Sequence, residues 1–461
     1  MSKLNPHAIV IKVGIIAALA GLLFGLDVAY VNGTLGFITK EFNLDVAAQG
    51  SVAGYLLAGA AVGALFTGWL SSKFGRKKVL VLSAMLFTFS VIFTILAHTF
   101  SVFLLARFVT GLAIGIASFV APLYLSEVAP YKIRGALIAM YQLMITVGIL
   151  IMFLSNAALS FTESWRIMLA VLLVPSLIML IGTLTLPESP RWMALTGNMD
   201  GARKILNQIR SNKDEIEFEL QEIKETTNVK SRGFSLLTKG YFLKVLFLGV
   251  LLQCLQQFSG INALMYYSGQ IFATAGFTNP AIATIIVGLV NVLATLVAIK
   301  FVDSLGRKPI LYIGMAILLI SCGTIGYLFN IQSNGAVLGT MAQYTLLVCC
   351  ILFIIGFAVS LGPIIWILCT EIFPLGGRDL GLTVTTMANW IFNAVIGSYT
   401  LVWFKTFGTG YTFWMFGFAS LLGFILIRFY TPETKDVPLE EVELNLEEGK
   451  DLQDLGKRRS H

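Results

Sequence analysis

Twelve separate apolar runs of about twenty residues govern what this chain can become. They lie near residues 12–32, 50–71, 79–98, 101–122, 135–158, 166–186, 243–268, 279–301, 310–330, 342–368, 382–404 and 411–431. A helix of about 20 residues crosses the roughly 30 Å of hydrocarbon in a bilayer, and membrane helices tolerate the Gly and Pro that several runs contain. A water-soluble fold is excluded by charge: 12% of the residues are charged and 57% are apolar, whereas ordinary globular domains carry about 25% charged residues. The alternation that marks a lipid-facing strand is absent from these runs. The first run is too long for a cleavable leader, carries Asp27 and Asn32, and lacks a small-residue cleavage site. The expected fold class is an all-α membrane protein with twelve transmembrane helices.

The connections between runs fall into two alternating sets, and basic residues divide unevenly between them. Of the 32 Lys and Arg, only Lys40, Arg166 and Lys405 lie in one set, and only Arg107 lies well inside a span, away from its ends. The rest occupy the set that holds both termini, which the positive-inside rule places in the cytoplasm. The net charge of +7 is thus a topology signal. It is not concentrated on a soluble domain, so no nucleic-acid partner is expected. Five cysteines (Cys254, Cys322, Cys349, Cys350, Cys369) lie in or beside apolar stretches without metal-ligand spacing. No metal and no cofactor are expected, and no phosphate-binding Gly-x4-Gly-Lys-Ser/Thr loop occurs that would imply drive by ATP.

Residues recur in the same order along the two halves of the chain. Gly75-Arg76-Lys77 returns as Gly306-Arg307-Lys308; Glu127, Pro130 and Arg134 return as Glu371, Pro374 and Arg378; Pro187-Glu188 returns as Pro432-Glu433. Each set follows the corresponding span of its half, which argues for two homologous six-helix halves, an organisation typical of transporters that rock two bundles about a midplane site. The expected boundaries are an N-terminal half over 1–187, a linker over 188–242, a C-terminal half over 243–431 and a tail over 432–461. Within the linker, Ala202, Ile205, Leu206, Ile209, Ile216 and Leu220 recur near helical spacing between charges, which predicts short amphipathic helices. The Glu- and Lys-rich tail is expected to be helical only in part and otherwise disordered. Gly59, Gly63, Gly111 and Gly115, at four-residue spacing, read as surfaces for close helix approach.

These motifs resemble the sugar porter branch of the major facilitator superfamily over essentially the whole chain. The match rests on Gly111, Gly115, Tyr124, Glu127 and Arg134, and on Pro187-Glu188-Ser189-Pro190-Arg191. It rests equally on Gln256-Gln257-Phe258-Ser259-Gly260-Ile261-Asn262, on Gly362-Pro363 before Trp366, and on Pro432-Glu433-Thr434-Lys435. The family's Asp in the loop after helix 2 falls at Ser72, although its second-half counterpart Asp303 is present. The resemblance implies two pseudo-symmetric halves of the major facilitator fold and alternating access to a monosaccharide site.

Asp27 is the one carboxylate well inside a span, and an ionisable group in hydrocarbon is costly enough to suggest function. Its expected partner is Arg107: both lie about 8–9 Å below the outer ends of their helices at ~1.5 Å per residue. A static pair that only holds two helices together is the alternative. Proton-coupled members of the family carry Asp where this chain has Asp27, whereas similar uniporters carry a neutral residue there. The resemblance therefore implies that protonation of Asp27 breaks the pair and permits closure over bound sugar.

A sugar needs amides that donate and accept, and an aromatic platform. The resemblance assigns sugar contact to Gln142, Gln256, Gln257, Asn262, Asn291 and Trp366, with Gly362 beside them. Asn389 and Trp390 are further candidates with packing as the alternative, and Phe24, Tyr266 and Tyr267 are candidates for occlusion or simple aromatic core. Interhelical bonding is the competing role for any one of these amides. On helix 7 the spacing displaces Asn262 from the face of Gln257 and suggests unwinding near Gly260. Matching family residues form ion pairs that close an inner gate, which brings Glu127, Arg134, Glu371 and Arg378, with Arg76, Asp303 and Arg307, into a gating set.

The expected protein is a proton-coupled monosaccharide importer of the bacterial plasma membrane, lipid-embedded and working as a monomer. A sugar uniporter with a structural Asp27 is the first alternative, and a sugar-sensing receptor on a transporter fold is the second. An enzyme would need a nucleophile with a base, or a metal constellation, and three scattered histidines supply neither.

Overall fold

A computed structural model of the chain describes residues 6–130, 133–210, 212–226, 233–301, 305–435 and 437–457. Its regular elements are helices: α1 (Pro6–Phe42), α2 (Val46–Phe74), α3 (Arg76–Ile95), α4 (Phe100–Val128), α5 (Arg134–Leu159), α6 (Trp165–Ala170) and α7 (Leu173–Leu184) build the first half. The linker holds α8 (Pro190–Leu195), α9 (Met199–Ile209) and α10 (Lys213–Thr226). The second half holds α11 (Gly240–Phe258), α12 (Ile261–Thr274), α13 (Pro280–Phe301), α14 (Arg307–Ser333), α15 (Thr340–Val359), α16 (Leu361–Glu371), α17 (Arg378–Thr406) and α18 (Thr409–Tyr430), and the tail holds α19 (Leu439–Glu447). Twelve segments of these are long and apolar enough to cross a membrane. They form two pseudo-symmetric six-helix halves.

Three spans that the sequence presents as single apolar runs are each built from two helices: α6 with α7, α11 with α12, and α15 with α16. A break in hydrocarbon leaves backbone groups without water, so each needs local partners. At the α11–α12 break Gly260 adopts φ +91°, which L side chains rarely take, and a Cβ there would sit 2.5 Å from the Phe416 ring. The last turn of α11 is closed by Ser259 N–H on Leu255 O, Gly260 N–H on Gln257 O and the Ser259 hydroxyl on Gln256 O. At the α15–α16 break the Ser360 N–H donates to Phe357 O and its hydroxyl to Gly356 O. Pro363, near the start of α16, brings no N–H to that helix's unpaired first turn.

Glycine sets how close the helices come. A Cβ on Gly111 would lie 1.9 Å from Leu56 O, and one on Gly115 would lie 2.1 Å from Ala60 O; Gly59 and Gly63 face the Phe108 and Leu112 carbonyls in return. The same device joins α1 to α5, where Gly25 faces Ile145 O and Gly148 faces Leu22 O. Lipid offers no hydrophobic drive between helices, so backbone approach of this kind supplies dispersion contact instead.

We call the side carrying the linker and tail the linker face, and the other the far face. Arg210, buried, bonds both oxygens of Glu219 and caps α4 by donating to Val128 O at 2.9 Å. Ala202, Ile205, Leu206 and Ile209 form the buried side of α9, and Ile216 and Leu220 that of α10. The tail departs from expectation: beyond α19 it stays packed, with Leu455 fully buried and Gly456 against the Glu433 backbone. Asn445 anchors this turn by donating to Leu455 O and Lys457 O.

Gly111→Val should force α2 and α4 apart, costing about 1–3 kcal/mol as overpacking does, and lower the thermal unfolding midpoint of the detergent-purified protein. Gly36→Ala, at a helical position with open space around the added methyl, should leave that midpoint unchanged or raise it.

Candidate functional site

Asp27 of α1 and Arg107 of α4 meet in the interior, 0% and 1% exposed, with Nη1 to Oδ1 at 2.6 Å and Nη2 to Oδ2 at 3.2 Å. Both oxygens are engaged by one guanidinium, the bidentate geometry that makes Arg–carboxylate pairs strong. Burial raises the stakes, since either partner alone would be an uncompensated charge in low dielectric. The Arg107 guanidinium carbon also lies 5.3 Å from the centroid of the Tyr30 ring.

The candidate amides gather around the two helix breaks. Gln256 donates to Leu361 O at 2.8 Å and Gly362 O at 3.2 Å, tying α11 to the first turn of α16. Its carbonyl accepts from Asn389 of α17 at 2.7 Å. Gln257 accepts from Asn262 at 2.6 Å, a bond across the α11–α12 break that compensates for the displacement of Asn262 from the Gln257 face. Trp390 of α17 packs on Phe24 of α1 with ring centroids 5.3 Å apart, so this pair joins the two halves. Tyr266 donates to Asn393 at 3.1 Å and Tyr267 to Gly397 O; both tyrosines are buried.

Sequence reasoning passed over Gln253. It is fully buried and accepts from Asn389 at 2.6 Å, so one Asn389 amide holds both Gln253 and Gln256. A signal was present, because Gln253 stands three and four residues before Gln256 and Gln257 and therefore shares their helix face. Gln142, Asn291 and Trp366 are brought into none of these bonds: among the described residues their side chains have no hydrogen-bond partner. Gln142 is exposed and Trp366 is 36% exposed.

Gly135, at the linker-face end of α5, has open space around it. At the far face the halves are in close contact: Asn32 of α1 donates to Met265 O at 3.0 Å and to the Ser268 hydroxyl at 2.7 Å, and a Cβ on Gly50 of α2 would lie 1.9 Å from Ser398 O of α17. Toward the linker face the halves also approach each other, where a Cβ on Gly68 of α2 would lie 3.7 Å from the Thr383 hydroxyl of α17.

That face carries the charged set, in matching arrangements in the two halves. Arg76 holds both oxygens of Glu127 at 2.7 and 2.8 Å, and Arg307 holds those of Glu371 at 2.8 and 3.3 Å. Glu188 accepts from Lys77 N–H at 2.9 Å, and Glu433 accepts from the Arg307 and Lys308 N–H groups, each at 3.0 Å. Both carboxylates thus sit at helix N-termini, of α3 and α14, where orphan donors and the helix dipole favour negative charge. Arg134 and Arg378, partly buried, open α5 and α17 at the same level. Asp303 lies outside the described residues.

The Asp27–Arg107 geometry gives a stability test. Arg107→Leu should cost about 3–5 kcal/mol by stranding a buried carboxylate, while Asp27→Asn combined with Arg107→Leu should recover most of that loss. Thermal unfolding of the three purified proteins checks the pattern.

Known proteins share this architecture. The profile of the family described as "Sugar (and other) transporter" matches residues 13–446. The galactose-proton symporter of Escherichia coli (strain K12) is 46% identical over 445 residues, covering 96% of this chain and 95% of that protein. The arabinose-proton symporter of the same strain is 41% identical over 452 residues, covering 96% and 95%. Among solved structures, the major facilitator proton:xylose symporter bound to 6-bromo-6-deoxy-D-glucose superposes with a TM-score of 0.78 at 30% identity, over 98% of this chain and 99% of that one. Fold, motifs and relatives agree, and the chain belongs to the sugar transporter family of the major facilitator superfamily.

Proposed function

We propose that this protein is a proton-coupled monosaccharide importer of the bacterial inner membrane, working by alternating access between halves 1–187 and 243–431. The linker over 188–242 and the tail over 432–461 lie with both termini in the cytoplasm, on the face rich in Lys and Arg.

The observation that carries the reading is the fully buried Asp27–Arg107 pair in a chain whose relatives are named galactose- and arabinose-proton symporters. Arg stays protonated throughout, whereas a carboxylate in a cleft can take up a proton and release its partner. Asp27 charged and paired favours one arrangement of α1 and α4; Asp27 protonated permits the other, so a proton and a sugar cross together. Gln142, Gln256, Gln257, Asn262, Asn291, Asn389, Trp366 and Trp390 form the sugar site, with Gly362 at its edge and Phe24, Tyr266 and Tyr267 occluding it from the far side. Gln256 is occupied by α16 carbonyls in this state, so sugar must compete with the α15–α16 break for its amide. The Arg76–Glu127 and Arg307–Glu371 pairs, with Arg134, Asp303 and Arg378, form the inner gate, since charge sets with two arrangements bias a rocking equilibrium. The protein acts as a monomer without a cofactor and performs no covalent chemistry.

The test is external pH in lightly buffered, de-energised cells on addition of D-galactose, D-glucose, L-arabinose or D-xylose. Wild type should alkalinise the medium with its substrate. Asp27→Asn should abolish alkalinisation while keeping exchange of labelled sugar. Uptake of labelled sugar by wild type without a pH change would make the protein a uniporter with a structural Asp27. Silence in both readouts would favour a receptor.

A further inference from the structure

We infer that Tyr30 is a positioning residue for proton coupling: its ring holds the Arg107 guanidinium when Asp27 takes up its proton. The inference rests on the symport reading above and concerns a residue outside the motifs that define the family resemblance.

Protonating Asp27 removes the one carboxylate that Arg107 contacts among the described residues, and the guanidinium, 1% exposed, remains in the interior with a full charge. Left alone it would carry the penalty of an unpaired buried ion. Its guanidinium carbon lies 5.3 Å from the Tyr30 centroid, within the roughly 6 Å over which the negative face of an aromatic ring attracts a cation. That attraction is worth most in a desolvated site, and Tyr30 is 0% exposed. The ring's negative face attracts the Arg107 guanidinium, for which Asp27 competes only while the carboxylate is charged. With Asp27 neutral, the ring is the partner left to the guanidinium, and the cost of the protonated site falls accordingly. Tyr30 is one turn from Asp27 on α1, so the helix that carries the proton acceptor also carries the surface on which the released cation rests.

The hydroxyl takes no part. Tyr30 Oη is buried without a hydrogen-bond partner, and so is Arg107 Nε. Groups facing the pair from neighbouring elements are few. Arg107 comes from α4, and Tyr266 of α12 lies within electrostatic reach of Asp27. Arg166 of α6, at the far face, is bound by Glu41. From α5, Asn156 donates to Ala29 O and Tyr141 is buried further toward the linker face, while α7 has no titratable side chain. None of these offers Arg107 a second carboxylate.

The experiment measures initial uptake of the labelled sugar that wild type accepts, as a function of external pH, in wild type, Tyr30→Leu, Tyr30→Met and Tyr30→Phe. Labelled-sugar exchange at equilibrium and membrane abundance are recorded for each. Tyr30→Leu should retain exchange while the midpoint of its pH profile moves acid by about 1 unit, because protonation of Asp27 then strands Arg107. Tyr30→Met should behave the same way and serves if the Leu variant does not reach the membrane. Tyr30→Phe should keep the wild-type midpoint. An unshifted midpoint in both Leu and Met variants overturns the inference, as does a Phe variant that shifts as far as Leu. A wild-type profile flat with pH instead overturns the symport reading, and this inference with it.

Discussion

A peptide group in hydrocarbon has no water to bond, and the rest of this structure follows from that. Every spanning segment is helical, and wherever a helix stops inside the bilayer another group must take over its loose ends. The two breaks near the centre show how. Ser259 and Ser360 close the carbonyls of α11 and α15 with their own hydroxyls, Gly260 takes the left-handed turn that other residues resist, and Pro363 arrives without a donor. The breaks are also where the amides collect. Gln256 reaches from one break to the other, so the polar groups fitted for a sugar are the same groups that hold the discontinuous helices in place.

Glycine supplies the second half of the design. Where α2 meets α4 and α1 meets α5, carbonyl oxygens stand where a methyl group would have to be. Such seams slide little, because a displacement either opens a void or drives backbone into backbone. The halves meet at the far face through hydrogen bonds at Asn32, the Gly50–Ser398 approach and, nearer the centre, the Phe24–Trp390 contact. The charged pairs at the linker face repeat in both halves and tie each half's third span to its neighbours. The PE motifs close this arrangement by placing Glu188 and Glu433 on the first amides of α3 and α14.

Much of the interior chemistry was legible before any coordinates. A lone carboxylate in one span and a lone arginine in another, at matching depth, point to each other because neither is tolerated alone. The glycine spacing on α2 and α4 likewise states a close approach. What escaped was the traffic among amides. Gln253 sits in plain view one turn before Gln256, yet only the position of Asn389, far away in sequence, makes it a member of the network. Tyr30 looks like any core aromatic until Arg107 is placed over its ring.

The sequence by itself determined the twelve spans, their division into two related halves, the sidedness of the charges and the need for Asp27 and Arg107 to meet. These are consequences of transfer energy and repetition, which act residue by residue along one chain. Only the tertiary structure decided that three apolar runs are broken helices, that Gln256 spends its amide on α16, and that the tail packs beneath Glu433. Those depend on which faces of separate helices come together. Hydropathy cannot encode that choice, because lipid and a neighbouring helix are equally apolar surroundings and only shape and hydrogen bonding tell them apart.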